Sequence, residues 1–117
     1  MATKLSELPT GQAISKLIDE TVTASRTAAS TNTVIPVLTL NRQSSGTPGA
    51  GIGGSLAFNV LTAAGNTETG ATIEAVTTDV TATSEDFDFV FKTMAGGAAA
   101  AERFRITSAG VMGGSGV

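Results

Sequence analysis

The alternation of apolar and polar residues is strongest in the C-terminal third of the chain. Phe87, Phe89 and Phe91 are spaced two residues apart, the pattern of a strand with one buried and one hydrated face. The alternate positions include Asp86, Asp88 and Lys92. A second alternating run contains Phe104 and Ile106. We expect the two runs to pair, which would place most of the chain's aromatic side chains in a single pair of strands.

The residues between these two runs predict a loose loop. Residues 93–101 are too many for a two-residue turn, although they include two consecutive glycines. On the hydrated face, the acidic residues Asp86 and Asp88 are expected to meet Arg103 and Arg105. Such pairs contribute on the order of a few tenths of a kcal/mol each and help to set the register.

Further strands are predicted on either side of this pair. Residues 34–40, 55–61 and 71–77 are apolar or alternating runs bounded by turn residues, and residues 111–112 add a short strand. Pro36 has no amide hydrogen, which places the first of these runs at a sheet edge or at a strand's start. The pattern predicts an antiparallel all-β domain over residues 34–117, with a sandwich or barrel-like form.

Residues 1–33 differ in composition and predict an N-terminal arm. Ile14, Leu17 and Ile18 have helical spacing, and Thr10 is placed to cap a short helix over residues 11–20. Residues 21–33 are mainly Thr, Ala and Ser and predict an extended linker. Two interpretations stay open: an arm that reaches a neighbouring subunit or larger assembly, or a terminus that folds back on its own domain. The candidate partner-binding residues of the arm are Leu5, Leu8, Ile14, Leu17 and Ile18.

Composition limits the core that one chain can build. Gly, Ala, Ser and Thr make up about half of the chain, whereas Ile, Leu, Val and Phe make up only about 23%. A domain of 117 residues with so few large apolar side chains buries a thin core. We therefore expect subunits to share a core by oligomerisation.

Several classes of function are disfavoured. The net charge of −3 argues against nucleic acid as a partner. The chain contains no Cys or His, which removes thiolate chemistry, His-dependent triads and the commonest transition-metal ligand. No window is apolar over a length that would span a membrane. We predict no catalytic residue, no cofactor and no metal.

For two segments, a ligand-binding or catalytic interpretation stands beside the structural one. Residues 49–54 match the dinucleotide pattern GxGxxG, but a strand rather than a helix is predicted after them, which favours a structural glycine loop. Glu85, Asp86 and Asp88 form the densest carboxylate group, with a cation site or an acid–base pair as the alternatives. A hydrated face partly paired with arginines is the interpretation that we prefer.

Residues 51–117 resemble a module repeated in bacteriophage tail fibres and other virion appendages. The resemblance lies in GIGGSLAF at 51–58, ATIEA at 71–75, FDFVFKT at 87–93 and, most specifically, ERFRITSAG at 102–110. Residues 1–9 also look like the start of many phage structural proteins. Proteins with this module are typically intertwined β-rich homotrimers. The resemblance implies a trimer core, for which the candidate residues are Leu56, Phe58, Ile73, Phe87, Phe89, Phe91, Phe104 and Ile106.

The resemblance implies a virion component assembled in the host cytoplasm. Fibre chains usually continue beyond the closing segment, whereas this sequence ends at Val117, which favours a free-standing trimer. Such a trimer with an N-terminal arm suits a capsid decoration (cement) protein, with itself and the major capsid protein or other virion proteins as partners. The alternative is a short tail fibre or a tail-fibre attachment module.

Overall fold

The computed structural model describes residues 21–114. The predicted helix over residues 11–20 and the five arm residues Leu5, Leu8, Ile14, Leu17 and Ile18 lie outside the described residues. The chain divides into two units, Met1–Thr39 and Leu40–Val117. The second unit contains all of the regular secondary structure found in the described residues.

The second unit is an antiparallel sheet of five strands. They are β1 (Gly53–Leu61), β2 (Thr67–Asp79), β3 (Asp86–Ala95), β4 (Ala98–Ile106) and β5 (Met112–Gly114). Each strand pairs with the next one along the chain, so that the sheet order is β1-β2-β3-β4-β5. The predicted all-β antiparallel class is confirmed. Within residues 21–114 no helix is long and apolar enough to cross a membrane.

The strand predicted over residues 34–40 does not form. These residues have no regular structure, and Val34 is 98% exposed. Pro36 supplies no amide hydrogen to a ladder, and its carbonyl oxygen accepts a hydrogen bond from the Arg26 side chain at 3.1 Å instead. An apolar run is therefore insufficient for a strand when no neighbouring strand accepts it.

The loose loop predicted between the two phenylalanine-rich strands is also wrong. β3 continues to Ala95 and β4 begins at Ala98, which leaves Gly96 and Gly97 alone in the turn. Both glycines have positive φ, 58° and 79°, as a two-residue type I′ hairpin turn requires. The alanines that follow pair as a strand, because Ala98 lies opposite Ala95 and Ala101 lies opposite Thr93.

Backbone hydrogen bonds join the glycine-rich segment before β1 to the end of β2. The Gly51 amide donates to the Thr77 carbonyl at 2.8 Å, and the Thr77 amide donates to the Ile52 carbonyl at 2.9 Å. The Thr77 hydroxyl also donates to the Ile52 carbonyl at 2.7 Å. β1 then passes so close to β2 that a Cβ built on Gly53 would lie 2.1 Å from the Ala75 carbonyl oxygen.

The close approach at Gly53 predicts a specific effect of adding one methyl group. Gly53→Ala should lower the free energy of unfolding by about 1–3 kcal/mol, because the backbone of β1 must move away from β2. Gly49→Ala is the matched control, since a Cβ there meets nothing within 4 Å. Urea denaturation followed by circular dichroism measures both. Equal stability of the two variants would contradict the close packing of the strands.

Candidate interaction surfaces of the sheet

The sheet has two faces of opposite character. On one, cross-strand pairs run from Leu56 through Ile73 and Phe91 to Phe104. We call this the apolar face, and its residues are Leu56, Phe58, Ile73, Ala75, Phe87, Phe89, Phe91, Phe104, Ile106 and Met112. All of the residues suggested as a trimer core lie on it. The structure therefore brings them together, and their burial in a trimer stays a prediction.

The apolar face is packed within its own plane but is not covered. The Phe89 and Phe91 rings have centroids 5.5 Å apart, and the Phe91 and Phe104 rings have centroids 5.7 Å apart. Even so, Leu56 is 45% exposed and Phe58 is 50% exposed. Phe87 and Phe89 are exposed to a similar degree. The part of the chain that the structure describes leaves these side chains in contact with water.

A groove of about 940 Å³ runs along part of this face. Its floor contains Leu56, Ile73 and Phe89 from three neighbouring strands. One wall is formed by the irregular segment before β1, including Leu40 and Pro48. Sequence reasoning missed this wall, because residues 41–48 have no periodic pattern that predicts a packed segment. The groove has the shape and apolar lining of a contact site for a macromolecule or an apolar ligand.

The opposite face carries a network of ion pairs. We call it the charged face, and its residues are Glu74, Asp88, Val90, Lys92, Glu102 and Arg105. Lys92 binds Glu74 at 2.9 Å. Arg105 binds Asp88 at 2.6 Å and Glu102 at 2.7 Å. Asp88 also accepts a hydrogen bond from the Ser108 backbone amide at 3.0 Å.

Val90 lies at the centre of the charged face and is only 1% exposed. In the register it stands between Glu74 of β2 and Arg105 of β4. It is the one fully buried large side chain among residues 21–114. Since the long charged side chains around it have apolar stems, they can cover a valine while their charged ends pair in water. Sequence reasoning missed Val90, although it is an apolar residue between Asp88 and Lys92 at the hydrated positions of β3.

The expected pairing between acidic residues and arginines is found for Asp88 and Arg105. Arg103 instead donates to the Thr93 hydroxyl at 3.1 Å. The reason is a β-bulge: Phe91 pairs with Phe104 and Lys92 pairs with Glu102, so that Arg103 has no direct partner on β3. Because of this extra residue, Arg103 does not join the acidic residues of the charged face.

The ion pairs lower the pKa values of the acidic groups. Hydrogen bonds from Arg105 lower the pKa of both Asp88 and Glu102, and the Ser108 amide adds to the effect on Asp88. The hydrogen bond from Lys92 lowers the pKa of Glu74. These carboxylates are ionised at neutral pH and are already engaged by cations of the same chain. No cluster of three or more potential metal ligands occurs within the described part of the chain.

The other candidate segments have structural positions. Glu85 and Asp86 are exposed at the start of β3, apart from the ion pairs of Asp88. Residues 49–52 form a loop that leads into β1, so that a strand rather than a helix follows the GxGxxG pattern. The arrangement lacks the helix N-terminus on which dinucleotide binding depends.

The chain was compared with protein-family models, with curated protein sequences and with solved structures. None of these comparisons gives a match. The functional interpretation therefore depends on the faces of the sheet and on the resemblance carried by the sequence.

The charged face predicts acid-sensitive stability. Carboxylates with a lowered folded-state pKa stabilise the fold above their unfolded pKa, and this contribution is lost as the pH falls through the folded value. We expect the melting temperature to be constant near neutral pH and to fall below about pH 4.5. Asp88→Asn should lower the melting temperature at pH 7 and reduce the further decline on acidification.

Asp86→Asn is the matched control for this experiment. Asp86 is exposed on the same strand, so the variant should keep the acid sensitivity of the wild type. Thermal melts between pH 3 and 7 measure all three proteins. An unchanged pH profile in Asp88→Asn would show that the Asp88–Arg105 pair does not contribute to stability.

Proposed function

We propose that this chain is a non-enzymatic structural protein of a bacteriophage virion. In this proposal it is a homotrimeric decoration protein that binds the major capsid protein and stabilises the contacts between capsid subunits. The sandwich or barrel-like form expected from the sequence then arises between copies, since a single described chain contributes one sheet. The resemblance of residues 51–117 to virion appendage modules supports this assignment.

The observation that carries the proposal is the long irregular segment before the sheet. Residues 21–52 contain no strand or helix, and almost all of them are exposed. Val34, Val37 and Leu38 are more than half exposed, although they are large and apolar. A segment of this length could reach on the order of 100 Å if fully extended. Exposed apolar groups on such a segment suit attachment to another protein.

The chemistry of the chain supports a structural role over an enzymatic one. There is no His or Cys in the sequence to act as a base or a nucleophile. The carboxylates of the charged face accept hydrogen bonds from Arg105 and Lys92. These contacts keep the carboxylates ionised and leave them engaged with cations of the same chain. General acid catalysis needs a carboxyl group with a raised pKa, and the shifts found here have the opposite sign.

A decoration protein of this kind stabilises a shell by adding interface area. Capsid subunits meet at many equivalent joints, and a trimer with three arms can contact several subunits at once. The second and third contacts are then intramolecular, which raises the total affinity well above that of one arm. Weak contacts from each arm are sufficient under these conditions.

The number of copies per particle tests the proposal directly. Quantitative mass spectrometry of particles purified from cells that produce this chain gives its ratio to the major capsid protein. We expect hundreds of copies in a fixed ratio to capsid subunits. A few copies to a few tens would favour the alternative, a short tail fibre or attachment module. Absence from particles would overturn the virion role.

Charged substitutions in the irregular segment test attachment separately from folding. We expect Val34→Asp combined with Leu38→Asp to leave the melting temperature of the sheet unchanged and to reduce the copies bound per particle. Thr33→Asp combined with Thr39→Asp adds the same charge at exposed polar neighbours and is the control. Wild-type binding by the first variant would show that this segment does not attach the protein.

A further inference from the structure

The apolar face presents a large hydrophobic surface that residues 21–114 leave uncovered. Three of its phenylalanines, Phe58, Phe87 and Phe89, are 44–55% exposed. With roughly 200 Å² for a phenylalanine side chain, they leave about 300 Å² in water. Leu56, at 45% exposed, and Met112, at 68% exposed, extend the patch across the sheet to β5. Contiguous apolar patches above a few hundred Å² mark interaction sites on soluble proteins.

The layer that packs on the apolar face must be present whenever the sheet is folded. A sheet is stable when it packs against a second layer. The described residues provide no such layer over Phe58 or Phe89, and Val90 on the opposite face is the only fully buried large side chain among them. A partner met only after folding would arrive too late to support the sheet. A second copy of the same chain is available from synthesis onward.

The distribution of charge favours a second copy as the occupant. A self-associating surface brings identical groups together, so any net charge on it would repel its own copy. Five charged residues of the strands are paired with one another on the opposite face, namely Glu74, Asp88, Lys92, Glu102 and Arg105. Arg42 and Arg103 lie at the margins of the apolar face, and its centre is formed by aromatic and aliphatic side chains. This is the arrangement of an apolar interface centre with a polar rim.

The exposed area fits a shared interface. A standard protein interface takes about 800 Å² from each partner, and its centre is the apolar part. The apolar face supplies such a centre, and the groove beside Leu40 and Pro48 adds a concave border. We propose that the apolar face is the surface through which copies of this chain meet. The inference rests on the proposed homotrimer and names the surface that would form it.

Paired substitutions on β1 test the surface. Phe58 lies on the apolar face, whereas its exposed neighbour Ala57 points to the other side of the strand. In sedimentation equilibrium, we expect wild type and Ala57→Lys to have the mass of a trimer, three times the 11.6 kDa of one chain. Phe58→Lys should lose the oligomer. A trimeric Phe58→Lys with the wild-type melting temperature, or a wild type that is monomeric, would overturn the proposal.

Thiol labelling keeps the test decisive if Phe58→Lys does not fold. The chain has no cysteine, so that Leu56→Cys and Ala57→Cys each carry a single thiol. Both positions are exposed in one chain. In the purified native protein the Leu56→Cys thiol should react with maleimide about tenfold or more slower than the Ala57→Cys thiol. The difference should disappear on dilution to the monomer, which distinguishes cover by further copies from cover by residues 1–20 of the same chain. After denaturation the two rates should be equal.

Similar native rates for the two thiols would overturn the proposal. Protection of the Leu56→Cys thiol that appears only on purified virus particles would also overturn it, because the occupant would then be another virion protein. The interface and the decoration role can therefore fail separately. A trimer with a protected thiol that is absent from particles would support the interface and refute the decoration role.

Discussion

The shortage of large apolar side chains is the constraint on which this structure depends. A five-stranded sheet has two faces, and this chain has enough hydrophobic residues to make one of them apolar. The other face is closed by charged side chains over Val90, which lies between Glu74 and Arg105 in the register. The described residues thus close one face, and they leave the other uncovered.

The two faces differ in how strongly they depend on their surroundings. The charged face satisfies its own groups, because Arg105 binds two carboxylates and Lys92 binds a third. Exposed ion pairs of this kind contribute little stability singly, but a network that also covers Val90 fixes the register of β2, β3 and β4. Within residues 21–114 the apolar face has no such compensation, since its aromatic rings pack against one another while Phe58, Phe87 and Phe89 stay about half exposed.

Much of the fold could be predicted from the sequence, because the strands with clear alternation are those that form. Phe87, Phe89 and Phe91 lie on one face, and Leu56 and Ile73 join them across the sheet, as their spacing indicated. The predictions failed where a local pattern needed information from elsewhere in the fold. Residues 34–40 are apolar, but a strand forms only beside a partner strand.

The hairpin between β3 and β4 shows a second limit. The alanine run after Gly97 has no periodicity, so its pairing with β3 is not visible in the sequence. The groove wall near Leu40 could not be predicted for the same reason, since residues 41–48 carry no repeating pattern. For the surfaces, the sequence predicts which apolar residues share a face. The structure adds that residues 21–114 leave this face uncovered and that Val90 lies on the opposite face.

The meander order of the strands has a consequence for how the protein forms. Each strand pairs with its immediate neighbour along the chain, and the β3–β4 connection is a turn of only two residues, Gly96 and Gly97. Closing short connections costs little chain entropy, and folds built from such local contacts form quickly. Pairing of the strands can therefore begin inside one chain at a rate independent of concentration. If copies of the chain cover the apolar face, as proposed, completion of the fold depends on concentration, so that dilution slows this step without slowing the first strand pairing.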